Sequence, residues 1–291
     1  MGLTRVSSSA LLVEWVTWGV APGARRHHKS VLVVGGQPPA TTSEPPTTPI
    51  EPTTTTKPGY ADCQALLDTG HTESGVYNIT PSQYPDGLEV YCHMNKEGKG
   101  WIVFQRRVDD TVNFTRSWGE YRDGFGDKEG SFWLGNEILR RLTEPVDEEW
   151  QMRVRLDVAV LPNKQSGLYN DFRVDGENYT LHVGEFSTSS DMHALSDCLS
   201  PPTGGEPPSN GQPFTTPDQD NDAEPDLNCA DELKGGWWFN RCTETGWGVG
   251  RHSNLNGECS QKPPHDEYGR GIVWSNIYSQ ITRTAMEMRR A

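Results

Sequence analysis

The sequence predicts a mixed domain of short β-strands and few helices, set behind an extended spacer. Three observations predict it. A glycine-rich run from Gly100 to Thr143 carries Trp101, Phe104, Trp118, Tyr121, Phe125, Phe132 and Trp133. Aromatics this dense bury large area and fix specific packing. A Thr/Pro tract precedes the region of strand-like patterning, and Gly, Pro, Asn and Asp dominate Ser200 to Asp226 behind it.

The chain has 291 residues, enough for one large domain with extensions or for two domains. Its 26 Lys and Arg meet 40 Asp and Glu, a formal charge of -14. Such acidity disfavours nucleic-acid partners, which need a basic footprint, and suits divalent cations. Hydrophobic content is modest at 33%, but ten tryptophans compensate in buried area. The six cysteines, Cys63, Cys92, Cys198, Cys229, Cys242 and Cys259, form no CxxC pair. Disulfides in an oxidising compartment explain them better than zinc or thioredoxin-like chemistry. Sequons at Asn78, Asn113 and Asn178 agree with that compartment.

Residues 1–36 form an N-terminal segment in which Arg5 precedes an apolar stretch, Ala10 to Val20. Small residues follow at Ala21, Gly23 and Ala24, the layout of a secretory signal, although Glu14 interrupts the apolar part. No stretch reaches the ~20 apolar residues of a membrane span. The cluster Arg25 to Lys29 reads as a solvated tail. Residues 37–59 form a spacer, with 15 of the 21 residues from Pro38 to Pro58 being Thr or Pro. It is either an O-glycosylated stalk or a plain linker, extended in both cases.

Folded sequence is expected over 60–291. Leu88 to Cys92 and Trp101 to Phe104 read as strands. The glycines at Gly119, Gly124, Gly126, Gly130 and Gly135 suggest tight turns between the aromatics. Leu134 to Leu142 reads as a helix with Ser131 as an upstream cap. Met152 to Val160 alternates as a half-buried strand, and Phe172 to Val183 reads as a hairpin turning at Asp175-Gly176. Beyond Asp191 periodicity fades, and a long irregular region of this kind is usually functional.

Asp218-Gln219-Asp220-Asn221-Asp222 alternates carboxylates on a loop, which suits a hard cation with about six to eight oxygen ligands. It is no EF-hand, because Ala223 and Cys229 stand where Gly and Glu are needed. A solvated acidic loop is the plainer reading. Asn228-Cys229-Ala230, Gly235-Gly236-Trp237-Trp238, Cys242 and Ser253-Asn254-Leu255-Asn256-Gly257 follow in order. With the aromatic run, this series resembles the fibrinogen C-terminal (fibrinogen-related) domain from about Asp62 to Arg290.

The resemblance implies an α+β fold: a central twisted antiparallel sheet, short helices and a loop-rich, calcium-binding C-terminal part. It implies disulfides Cys63–Cys92 and Cys229–Cys242, which leaves Cys198 and Cys259 to pair with each other or across protomers. For Ca2+ it implies side chains from Asp220 and Asp222 and carbonyls near Glu224 and Asp226, with Asp218 supporting the loop. In ficolins and tachylectins a neighbouring pocket binds acetyl groups through aromatic rings and backbone N–H groups. A cis peptide, here Arg241–Cys242, aims one donor. His252, Tyr268 and Tyr278 join Arg241 and Cys242 as ligand-binding candidates, with packing as the alternative role for the tyrosines and for Trp247.

The chain departs from the lectins at Leu233, where they carry Tyr, and at Thr243, where they carry His. Thr243 to Gly250 looks inserted, Trp274 to Tyr278 is short, and Cys259 stands where an aromatic is common. The expected function is a secreted, calcium-dependent recognition protein for glycans or acetylated groups. The alternative is an extracellular protein-binding module, as in angiopoietin-like and tenascin-like members. Enzyme signatures are missing: there is no Gly-x-Ser-x-Gly and no His-Glu-x-x-His, and His265 to Glu267 reads as a solvated loop. No collagen-like or heptad repeat precedes Tyr60.

Overall fold

Asp62 opens the first helix by accepting a hydrogen bond from Ala65 N at 2.8 Å, which satisfies one of the free N–H groups of α1 (Cys63–Asp68). The computed structural model describes residues 59–159, 164–188, 193–200, 209–242, 253–258, 271–274, 277 and 281–291. All fall in the compact unit Thr55–Ala291. The N-terminal segment and the spacer up to Pro58 lie outside the described residues.

After α1 come β1 (Gly75–Ile79), β2 (Leu88–Met94) and β3 (Gly100–Arg107). A disulfide from Cys63 to Cys92 ties α1 to β2 across a Cα–Cα distance of 5.5 Å. Closing that loop removes on the order of 3–4 kcal/mol of unfolded-chain freedom. The aromatic run then forms α2 (Trp118–Asp123), β4 (Phe125–Gly126), β5 (Phe132–Trp133) and α3 (Asn136–Thr143). Ser117 and Glu120 cap α2 reciprocally. The remaining elements are β6 (Trp150–Val158), β7 (Gln165–Tyr169), β8 (Arg173–Asp175), β9 (Thr180–His182), β10 (Phe186–Thr188), β11 (His193–Ala194), α4 (Cys229–Glu232) and β12 (Ile281–Arg290).

The main sheet runs β1-β2-β3-β12-β6-β7-β10 with antiparallel neighbours throughout, and β11 joins β7 in parallel. Its middle strand is the last one in the chain. β12 pairs with β3 on one side and β6 on the other, with a register shift between Met286 and Glu287 opposite β3. The core lies on the face where Met152, Val154, Leu156, Met286 and Met288 point, all fully buried. β6 alternates strictly between buried and half-buried residues, as its sequence pattern demands. β8 and β9 form a separate hairpin in which Asp175 faces Thr180.

Three readings need correction. Ser131 does not cap α3: Gly135 occupies the cap position without a side-chain bond, and the Ser131 hydroxyl accepts Val108 N at 3.0 Å instead. Gly135 has φ 122°, and a Cβ there would stand 2.9 Å from Arg122 O, so backbone contact selects glycine. Gly119 lies inside α2 rather than in a turn. Regular structure returns at β12, well beyond the point where periodicity fades.

Candidate metal centre and recognition site

Tyr121 and Gly236 fix the position of the C-terminal loops. The buried Tyr121 hydroxyl donates to Phe114 O at 2.7 Å and accepts Gly236 N at 3.0 Å. Burial pushes this phenol well above its usual range, so it stays a neutral donor. A Cβ on Gly236 would lie 2.7 Å from the Tyr121 ring and 2.8 Å from Phe214, so only glycine lets the backbone approach. Trp237 and Trp238 follow, both fully buried. The Trp238 indole donates to Tyr179 O at 2.8 Å and packs edge-on to Phe214 at 5.2 Å.

Ser253 to Gly257 carries no ligand-facing surface, for Ser253 to Asn256 are buried and serve as internal struts. Asn256 Nδ2 donates to Gly236 O at 3.0 Å, while Gln105 Nε2 donates to Leu255 O at 2.8 Å and to Asn256 Oδ1 at 3.1 Å. This network fastens the tryptophan segment to β3. Every polar group in such a position needs its partner, which explains two asparagines in five residues.

The acidic loop hangs from the same frame. Thr215 and Trp237 exchange backbone hydrogen bonds at 2.9 and 3.1 Å. Asn221 Nδ2 donates to Phe214 O, Ala223 N to Asn240 O and Asn228 Nδ2 to Thr216 O. Asp218 accepts Trp118 N and the Thr216 hydroxyl, both at 2.8 Å, a tether to α2. Asp222 Oδ1 accepts Glu224 N and its Oδ2 accepts Cys229 N, both at 2.9 Å. Asp220 accepts Asp222 N at 3.2 Å, so these two predicted ligands lie side by side. Cys229 is disulfide-bonded to Cys242, which closes the loop's far end.

Burial pushes the Asp222 carboxyl up to about 6; backbone N–H bonds from Cys229 and Glu224 oppose this, and the Asp220 charge adds to it. A pair of carboxylates in this state gains by having a cation between them. Among the described residues no three His, Cys, Asp or Glu side chains form a metal cluster. Two carboxylates with loop carbonyls beside them would offer a cation only hard oxygen donors, chemistry of the kind that suits Ca2+. Glu224 and Asp226 stand on the loop and would contribute through their backbone, with Asp226 exposed.

Arg241 is exposed beside the half-buried Cys242. His252, Tyr268, Tyr278, Trp247 and Thr243 lie outside the described residues, as does Cys259, the predicted mate of the buried Cys198. Leu233 is 1% exposed, so its side chain belongs to the core and offers nothing to a ligand. Asn78, Asn113 and Asn178 are all exposed. Sequence reasoning missed the capping role of Asn228, whose side chain accepts Asp231 N at 3.0 Å to start α4. The N-cap preference for Asn would have found it.

Residues 59–290 match the family model of the fibrinogen beta and gamma chains' C-terminal globular domain. The chain belongs to this family. Fibrinogen-like protein 1 of Bos taurus is 38% identical over 74% of the chain and 66% of its own length. Human ficolin-3 is 39% identical over 75% of the chain and 65% of its own length. Ryncolin-4 of Cerberus rynchops is 36% identical over 73% and 55%. The chain thus spans about two-thirds or less of these relatives. Among solved structures, the fibrinogen-like globe domain of human ANGPTL6 superposes with a TM-score of 0.68 at 30% identity, covering 82% of this chain and 99% of that one. A lamprey fibrin D-dimer complexed with the peptide Gly-His-Arg-Pro-amide superposes at 0.66 and 29%, covering 80% and 74%. In this fibrinogen C-terminal domain, the loops after α4 and the acidic loop thus share one buried aromatic support.

Proposed function

We propose that the protein is a secreted, non-enzymatic recognition module that binds glycans or acetylated groups with the support of Ca2+, as in innate recognition of microbes. The observation that carries this reading is the Asp220–Asp222 pair on a loop braced at both ends by Thr215–Trp237 and Cys229–Cys242. Bracing of this kind prepares a loop for a ligand before the ligand arrives. Kinship with ficolin-3 and ryncolin-4 supports the glycan class. Asp220 and Asp222 would hold the ion, carbonyls near Glu224 and Asp226 would complete its shell, and Arg241, Cys242, His252, Tyr268 and Tyr278 would face the ligand. Among the described residues no helix is long and apolar enough to cross a membrane.

Calcium bound only by the folded form raises stability by about 2.7 kcal/mol at a hundredfold excess over Kd. The full chain is therefore expected to melt several degrees higher in calcium than in chelator. Asp222→Asn is expected to remove that difference; its melting point in chelator is expected to fall modestly, because the amide can accept only one of the two backbone N–H bonds from Glu224 and Cys229. An Asp222→Asn chain that responds to calcium like the parent would exclude this loop as the metal site.

A second reading is a protein-binding module without lectin activity. The burial of Leu233, where lectins present Tyr, favours it. The Gly-His-Arg-Pro-amide peptide complexed with the lamprey fibrin D-dimer supports this reading.

A further inference from the structure

On the outer face of the sheet, three adjacent strands bring cations around one alanine. Ala285 of β12 is the register partner of Arg106 on β3 and of Arg155 on β6. Neighbours directly across antiparallel strands project to the same face. Two long guanidinium side chains therefore flank a single methyl group. One step along β12, Arg283 stands opposite Asp157. Together these residues line a cavity of about 200 Å³, with Lys164 and Tyr91 also on its wall. Among the described lining residues, Arg106, Arg107, Arg155, Lys164, Arg283 and the imidazole of His93 meet one carboxylate, Asp157.

The cations are held apart rather than neutralised. Arg106 lies over the Tyr91 ring at 4.5 Å and reaches Glu129 O at 3.4 Å, so its charge is oriented but not paired by that carbonyl. Arg155 is 3.6 Å from Glu287, but the same carboxylate also binds Arg153 and His93, so one negative charge serves three partners. Arg283 and Lys164 are exposed. This concentration of positive charge occurs on a chain whose formal charge is -14. A cleft in which one sign of charge predominates attracts the opposite sign even when the whole molecule repels it.

We infer that this cleft on the β3-β12-β6 face is a second binding site, one that takes a sulfate-class or phosphate-class oxyanion carried on an extracellular polymer such as a sulfated polysaccharide. Guanidinium forks match the paired oxygens of such groups. The Ala285 methyl leaves the space between the forks open, and the Tyr91 ring supplies an apolar edge for the carrier. The site shares no residue with the acidic loop, so it works without calcium.

The test uses the full chain in chelator, with heparin as the sulfated polymer and inorganic sulfate and phosphate as competitors. The chain is expected to bind heparin at low salt, with affinity falling as salt screens the contacts. Millimolar sulfate or phosphate is expected to compete; the stronger competitor identifies the preferred ester. Ala285→Glu places a carboxylate between the two arginines and is expected to weaken binding about tenfold or more, the loss of a hydrogen bond to a charged group. The double variant Arg106→Gln/Arg283→Gln, made at a half-buried and an exposed position, is expected to do the same while melting like the parent. Failure of the parent chain to bind, or undiminished binding by the folded double variant, overturns the inference. Calcium-loop variants are expected to bind heparin normally, so failure of the loop reading would leave this result intact.

Discussion

Trp238→Ala is expected to destabilise the domain by about 3–5 kcal/mol, as for other buried aromatic truncations. Trp238 is fully buried and lies within 6.0 Å, centroid to centroid, of Trp133, Trp237 and Phe214. Its loss leaves a cavity between α2, β5 and the C-terminal loops. It also strips Tyr179 O of the 2.8 Å bond from the indole. The effect should reach the acidic loop, because Thr215 pairs with the adjacent Trp237. Urea unfolding at neutral pH measures the loss, and the calcium-dependent melting shift measures the consequence. Trp238→Phe, which keeps much of the ring volume, is expected to lose less. A Trp238→Ala variant within about 1 kcal/mol of the parent, the range of ordinary substitutions, would contradict the role given to this cluster.

Glu287→Ala is expected to cost about 3 kcal/mol or more, since breaking a buried charge network is among the most damaging single changes. Glu287 is fully buried on the central strand and binds Arg153 and His93, with Arg155 at 3.6 Å. Burial alone would push its carboxyl upward. The His93 hydrogen bond and the charges of Arg153, His93 and Arg155 outweigh burial and hold it below the usual carboxylate range. The fold therefore prefers the ionised form more than the unfolded chain does. The resulting stability is fully present above the unfolded carboxyl's value of about 4.3, and it is lost as pH falls through the lower folded value. Unfolding free energies measured from neutral pH down through the acid range should show this decline in the parent. In Glu287→Gln the decline should be shallower, because the amide does not titrate. Identical slopes would show that Glu287 does not contribute to acid sensitivity.

The same residue shows why part of the fold was hard to read. Thr284, Met286, Glu287 and Met288 are all buried on β12, and the register shift between Met286 and Glu287 breaks the alternation that marks a strand. A charged residue in the middle of a central strand disguises it further. By contrast, β6 is half-buried and unbroken, so its period of two is visible in the sequence. The cap of α3 was misassigned because Gly135 is selected by contact with Arg122 O, a tertiary effect that no local rule encodes. The placement of Asp220 and Asp222 side by side on one loop is legible in the alternating carboxylates, while their role as ligands is the proposal made above. The buried roles of Asn254 and Asn256 were not legible, because an asparagine reads as polar surface until its partners are known. Leu233 is the most telling departure: its burial removes one aromatic wall that an acetyl pocket would use, and it sharpens the choice between glycan and protein ligands.

That choice is decided by passing the full chain over immobilised N-acetylglucosamine in calcium and challenging it with free acetate and, separately, with chelator. Retention with release by both is the result expected of a calcium-supported acetyl-binding module. Flow-through of a folded chain that calcium still stabilises would contradict the glycan reading and transfer the recognition surface to a protein ligand.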